Sequence, residues 1–146
     1  MKKNITFGSE ALTEIAKGVE ILAKTVGSTL GPGGRNVIFE NLGYPLVTKD
    51  GVTVALQIEL KDKLQNIGAQ MVKQVAKKTC DDAGDGTSSS CIIANAIVQE
   101  GLRVLATGVN PIDVQRGINK AIDEVIKFIE TEIKQDVNED VEKIQQ

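Results

Sequence analysis

The sequence predicts a mainly α-helical bundle that carries one small β-hairpin. Three observations lead there. Apolar residues recur at three- and four-residue steps over four long stretches, which is the spacing of one helix face. Glycine and proline cluster between those stretches, where a helix cannot continue. Aromatic residues make up only 3% of the chain, so the core has to be built from Ile, Val, Leu and Ala, which suits close helix packing.

Taken in order, Ser9 is placed to cap the first helix, with Glu10 in its first turn. Leu12, Ile15, Ala16, Val19, Leu22, Ala23 and Val26 form its apolar face, and it should end near Gly27-Ser28. Thr29-Leu30-Gly31-Pro32-Gly33-Gly34-Arg35 is a loop. Val37 to Glu40 reads as a strand, Asn41 to Tyr44 as a turn, and Pro45 to Thr48 as the return strand of a hairpin. Lys49-Asp50-Gly51 is a second tight turn, and a short helix is expected within Val52–Leu60. Leu64, Ile67, Met71, Val72, Val75 and Ala76 mark a second long helix running to about Cys80 and interrupted by Asp81 to Gly86. Thr87 to Ser90 lead into a third helix that starts at Cys91 and reaches about Ala106; its Ile-rich first turns predict deep burial. Asn110 caps a fourth, with Pro111 at its first position, Asp113 in the first turn, and an apolar face from Val114 to Ile129. Val137 to Ile144 begins another helix with nothing left to pack on, so the chain is expected to continue beyond it in a longer protein.

A chain of 146 residues with 41% apolar and 25% charged residues fits one globular domain. The net charge of −3, with no basic stripe and no basic–aromatic interleaving, argues against a nucleic-acid partner. No apolar run approaches the ~20 residues that span a bilayer, so no membrane partner is expected. The basic start, Met1 to Thr6, has no apolar stretch behind it and does not read as a signal peptide, so a cytoplasmic location is expected. Cys80 and Cys91 read as small core residues. The chain has no His, which excludes the common catalytic triads and most zinc sites. Any chemistry has to rest on Asp, Glu, Lys, hydroxyls, backbone amides and bound metal.

Gly84-Asp85-Gly86-Thr87-Ser88-Ser89-Ser90 is the most informative segment. It joins a glycine turn to four hydroxyl residues and an apolar helix. The first amides of a helix lack internal partners, and the helix dipole adds positive charge there, so phosphate fits. The glycines let the backbone approach closely. Asp85 would repel phosphate unless Mg²⁺ lay between them. The same pattern also reads as a plain helix cap. An EF-hand is excluded, because Ala83 and Ile92 would stand where its loop needs oxygen ligands. Thr29 to Gly34 also frees backbone amides but is not a Walker A loop. Lys49-Asp50-Gly51 alone says only turn. Convergence of the three glycine turns at one end of the bundle would favour a nucleotide site.

Several spaced motifs in order then resemble group I chaperonins of the GroEL type. They are Thr29-Leu30-Gly31-Pro32 with Gly34-Arg35-Asn36-Val37, Thr48-Lys49-Asp50-Gly51-Val52, Asn66-x-Gly68-Ala69-Gln70-Met71-Val72-Lys73, and Ala83-Gly84-Asp85-Gly86-Thr87. Glu100-Gly101-Leu102, Gly108-x-Asn110-Pro111 and Arg116-Gly117-Ile118 complete the set, and the similarity runs from about Phe7 to Ile126. The resemblance implies the first half of an equatorial domain, a helical ATP-binding domain with ring contacts, over residues 1–134. Residues 135–146 would begin the intermediate hinge domain, and the apical domain would be absent. It implies an ATP-hydrolysing chaperone that assists protein folding and refolding, with other chaperonin subunits as ring partners. A co-chaperonin lid and unfolded polypeptides would be partners of the full-length protein only.

Carried over by position, the resemblance implies that Asp85, Gly86, Thr87, Ser88 and Ser89 form the phosphate loop, with Asp85 as Mg²⁺ ligand. Thr29, Leu30, Gly31 and Pro32 would line the nucleotide, and Lys49 would lie beside the phosphates. The backbone oxygens of Thr29 and Lys49 would match a K⁺ position, and Asp50 would be an auxiliary acidic residue near the attacked phosphate. The family usually has three Thr where this chain has Thr87, Ser88 and Ser89, a Lys at Gly33, and a charged pair at Leu56-Gln57. The hydroxyls are kept, so phosphate binding should survive. The water-activating aspartate and the base-side wall belong to parts of the family outside this chain, so weak ATP binding with negligible turnover is expected. The alternative is an inactive truncated paralogue that binds full-length rings through Asn4 to Phe7 or Val37 to Glu40, both of edge-strand character.

Overall fold

The structure is a computed structural model and describes residues 5–41 and 43–134. Five α-helices and one two-stranded sheet follow in the order α1 (Gly8–Gly27), β1 (Val37–Asn41), β2 (Tyr44–Thr48), α2 (Gly51–Gln57), α3 (Lys63–Ala83), α4 (Thr87–Leu105) and α5 (Pro111–Phe128). A π-helical turn, Ile129–Ile133, ends the described part. The mainly helical class with a small hairpin is therefore as predicted. The chain divides into two compact units at Arg103–Val104.

In the first unit, α1 and α3 pack so closely that glycine is required on both. A Cβ on Gly18 would overlap the carbonyl oxygen of Gln65, and a Cβ on Gly68 would overlap that of Ile15. Around this contact Val19, Leu22 and Val26 of α1 meet Val72 and Ala76 of α3, Val54 and Ala55 of α2, and Cys91 of α4. Small and branched aliphatics thus fill the core, as the shortage of aromatics required. The Gln65 side chain donates to Glu14 (2.8 Å) and the Gln99 side chain to the Ala16 carbonyl (3.2 Å), tying α3 and α4 to α1. The short α2 is held at its far end by Lys73, whose ammonium donates to the Leu56 carbonyl at 2.9 Å. β1 and β2 pair antiparallel from Val37↔Thr48 to Asn41↔Tyr44.

Four sequence expectations need correction. Ser9 does not cap α1; Phe7 holds that position without a side-chain bond, and Ser9 lies inside the first turn, its carbonyl accepting from Thr13. α3 does not stop at Cys80. Asp81, Asp82 and Ala83 stay helical, and the helix ends where Gly84 turns left-handed at φ 74°. That conformation costs glycine nothing, which is why the stop falls there. α4 starts at Thr87 rather than Cys91, so the hydroxyl residues form its first turn. Its Ile-rich turns are not deeply buried: Ile93 is 58% exposed, and Cys91 takes the core position instead.

In the second unit, Asn110 caps α5 as expected, accepting from the Ile112 amide at 2.9 Å, with Pro111 next. No residue of α5 is buried. The helix expected at Val137–Ile144 and the hinge segment at 135–146 lie outside the described residues. Among the described residues no helix is long and apolar enough to cross a membrane.

Candidate functional site

α3 ends and α4 begins within three residues. The left-handed Gly84 and Gly86 (φ 74° and 83°) make that reversal possible. The first bond of α4's ladder runs from the Ser90 amide to the Gly86 carbonyl. Among the described residues, nothing accepts from the amides of Thr87, Ser88 or Ser89, the donors that a helix start leaves over. The Gly86 amide is taken by Asp85 Oδ1 at 2.6 Å. The Ser90 hydroxyl turns back to the Thr87 carbonyl, which leaves Thr87, Ser88 and Ser89 to face the site.

Against this turn lies the start of α2. Asp50 caps it: the Thr53 amide donates to Asp50 Oδ2 at 2.8 Å, and the Thr53 hydroxyl donates to the same oxygen. These two bonds, the hydroxyl's first, hold the Asp50 carboxyl below its usual range, with a further attraction from the Val52 amide. Asp50 is therefore a carboxylate at neutral pH. Gly51 sits so near α4 that a Cβ there would overlap the Ser88 hydroxyl oxygen.

Between these elements opens a cleft of about 300 Å³, lined by Leu30, Asp50, Gly51, Val52 and the run Gly84–Ser89. All three glycine turns singled out in the sequence contribute to it. Of the residues the sequence pointed to, Leu30, Asp50, Asp85, Gly86, Thr87, Ser88 and Ser89 are brought together. Thr29, Gly31, Pro32 and Lys49 are not in its lining. Thr29 is buried, its hydroxyl donating to the Val26 carbonyl at 2.7 Å and its own carbonyl oxygen packed against Gly34. Lys49 is exposed. Gly51 and Gly84, which belong to the glycine turns singled out in the sequence, also line the cleft, as does Val52, which the sequence did not point to.

The lining holds two carboxylates, three hydroxyls and unpaired helix amides, with no cationic side chain. A polyanion alone would meet repulsion from Asp50 and Asp85. A hard cation bridging carboxylate and anion removes that conflict. Asp85 is suited to hold such a cation, because it is exposed and its second oxygen accepts no hydrogen bond among the described residues. No group of three or more metal-ligating side chains occurs among the described residues, so the protein would supply few ligands and the anion the rest. That division is typical of Mg²⁺.

The sequence profile of the TCP-1/cpn60 chaperonin family matches residues 22–146. The chain belongs to this chaperonin family. Among solved structures it is similar to a group III chaperonin in the open state, with 30% sequence identity and a TM-score of 0.72 over 82% of this chain. The match covers 24% of the longer protein, so the chain spans about a quarter of that relative's length.

Proposed function

We propose that this chain supplies the phosphate and magnesium side of the ATP site of an ATP-driven chaperonin. The observation that carries this reading is a cleft lined by the exposed Asp85, the capped Asp50 and the start of α4, where the amides of Thr87, Ser88 and Ser89 find no acceptor among the described residues. The helix start and the hydroxyls hold phosphate oxygens. Asp85 holds Mg²⁺, which neutralises charge on the phosphates when bound. Leu30 and its neighbours Thr29, Gly31 and Pro32 form the loop beside the nucleotide. By position in the resemblance, Lys49 would lie next to the phosphates and the backbone oxygens of Thr29 and Lys49 would be K⁺ ligands, although neither residue lines the cleft and the Thr29 carbonyl packs against Gly34. Asp50, kept ionised by Thr53, orients water or a hydrated cation at the phosphate under attack; a carboxyl so stabilised is a poor proton acceptor.

The spaced motifs from Thr29 to Gly117 favour a group I origin, a cytoplasmic ring and client-protein folding by the complete assembly. With about a quarter of a chaperonin's length, this chain by itself binds Mg-ATP weakly and turns it over negligibly. Titration of the chain with ATP and Mg²⁺ checks this. Asp85→Ala should weaken Mg-dependent binding by about tenfold or more, the scale of a lost charge-assisted contact. Equal binding with and without Mg²⁺, or by Asp85→Ala, refutes the site; steady turnover refutes the division of labour.

A second reading has its own support. Ile38 and Val47 of the hairpin are 68% and 54% exposed, and Ile5 and Phe7 are more exposed still. An isolated two-stranded sheet with such a surface is suited to pairing with another subunit. In this reading the chain is a binding module on full-length chaperonin rings. Co-purification with intact rings that persists in Asp85→Ala would favour it over the nucleotide reading.

A further inference from the structure

The start of α2 carries one residue that neither the sequence motifs nor the cleft lining assign. We infer that Thr53 is a positioning residue for Asp50, locking the carboxylate so that one oxygen is consumed by the helix cap and the other is left for the cleft. This rests on the nucleotide reading of the cleft and deepens it.

The geometry has three parts. First, both Thr53 donors, amide and hydroxyl, go to Oδ2; among the described residues the carboxylate otherwise meets only the weaker pull of the Val52 amide. A backbone cap alone needs only the amide. The hydroxyl adds a second fixed point, and two donors from one residue define the plane of the carboxylate far better than one. Second, the main chain of this turn is itself held. The Asp50 amide donates to the Thr48 hydroxyl at 3.0 Å, Val54 and Ala55 are fully buried, and the Ser88 hydroxyl leaves no room for a Cβ on Gly51. With α2 docked against α1 and α3, rotation about the Asp50 side-chain bonds is the main freedom that remains, and Thr53 restrains it. Third, Asp50 lines the same cleft as Thr87, Ser88 and Ser89, so its carboxylate borders the space where a bound phosphate chain would lie. Catalytic carboxylates lose effectiveness steeply with misplacement, so a lock of this kind has a use beyond helix stability.

The test compares the affinity of this chain for Mg-ADP with and without fluoroaluminate, a mimic of the phosphoryl group in transfer. The ratio of the two affinities reports contacts made only to that group. Asp50→Asn should lower the ratio. Thr53→Val, which keeps shape and amide but lacks the hydroxyl, should lower it by about tenfold, the size of one hydrogen bond to a charged group. Thr53→Ser should restore it. A melting curve of each variant separates this from unfolding, because a purely structural role would lower the melting temperature and leave the ratio alone. An unchanged ratio in Thr53→Val while Asp50→Asn loses it overturns the inference, as does an equal loss in Thr53→Ser. An unchanged ratio in Asp50→Asn overturns it too, by removing Asp50 from the transferring group. Absence of any Mg-nucleotide binding by the unaltered chain instead brings down the nucleotide reading, and this inference with it.

Discussion

α1 and α5 are similar in length and are both amphipathic, yet six residues of α1 are buried and none of α5. The difference lies in what faces each helix. α1 meets α3 across Gly18 and Gly68, where the backbones approach as closely as side chains permit, and the aliphatics beside that crossing are shut away from water. α5 has the same kind of stripe, but Ile122, Val125, Ile126 and Phe128 remain between 44% and 57% exposed. An apolar stripe therefore names the face that would be buried. Burial itself needs a partner surface, which α1 has in α3 across Gly18 and Gly68.

The largest expected contrast comes from truncating the two stripes. Leu22→Ala should cost about 2–5 kcal/mol, since Leu22 is fully buried and leaves a cavity. Ile122→Ala should change stability by no more than about 1 kcal/mol. Denaturant unfolding of this chain checks both. Equal losses would mean that α5 is buried against something in solution, and the contrast between the helices would fail.

A finer contrast uses one substitution at two glycines. Gly68→Ala forces a Cβ into the Ile15 carbonyl and should cost about 3 kcal/mol, the upper end of overpacking. In Gly117→Ala the new methyl meets nothing within 4 Å, so the change should stabilise α5 by about 0.5–1 kcal/mol through helix propensity. Thermal melts of the two variants should move in opposite directions, and a shift of the same sign in both would undo the packing argument.

The smallest effect is electrostatic. Burial pushes the Cys91 thiol above its ordinary value, with a minor opposing contact from Ser90. As pH rises past about 8.5, the unfolded chain gives up this proton while the folded chain keeps it. The folded state then binds more protons, so stability falls until the native thiol also ionises. Cys91→Ala should remove this alkaline slope, at most ~1.4 kcal/mol per pH unit, and Cys80→Ala should keep it. Unfolding midpoints between about pH 8 and 10 measure it. An unaltered slope in Cys91→Ala would mean that the thiol is not shielded.

Much of the fold was legible because its signals are local. The Asn110-Pro111 start of α5 and the stripe of α1 from Ala16 to Val26 involve residues within one or two turns of each other and stand where the sequence put them, whereas Leu12, at the start of that stripe, is exposed. The errors also have local causes. Ser9 looked like a cap because caps and first-turn serines share a composition. Asp81 and Asp82 looked like breakers, although aspartate costs a helix little and only Gly84 forces the stop. Ile92 and Ile93 looked buried because hydrophobicity reports what a residue would prefer rather than what faces it.

The cleft shows where such reading ends. Gly84-Asp85-Gly86 followed by hydroxyls marked an anion-binding helix start in the sequence, and the three turns were identified one by one. Nothing local tells that Leu30, Asp50 and Ser88 share one cavity, or that Gly51 has to be bare to admit Ser88.

By itself the sequence determined the helical class, the hairpin, the Asn110 cap and the chaperonin family, because hydrogen bonds and apolar steps a few residues apart are written in neighbouring letters. Only the tertiary structure decided which apolar faces found partners and which turns met. Those outcomes depend on how closely two backbones can approach, and that distance is set jointly by residues far apart in the chain.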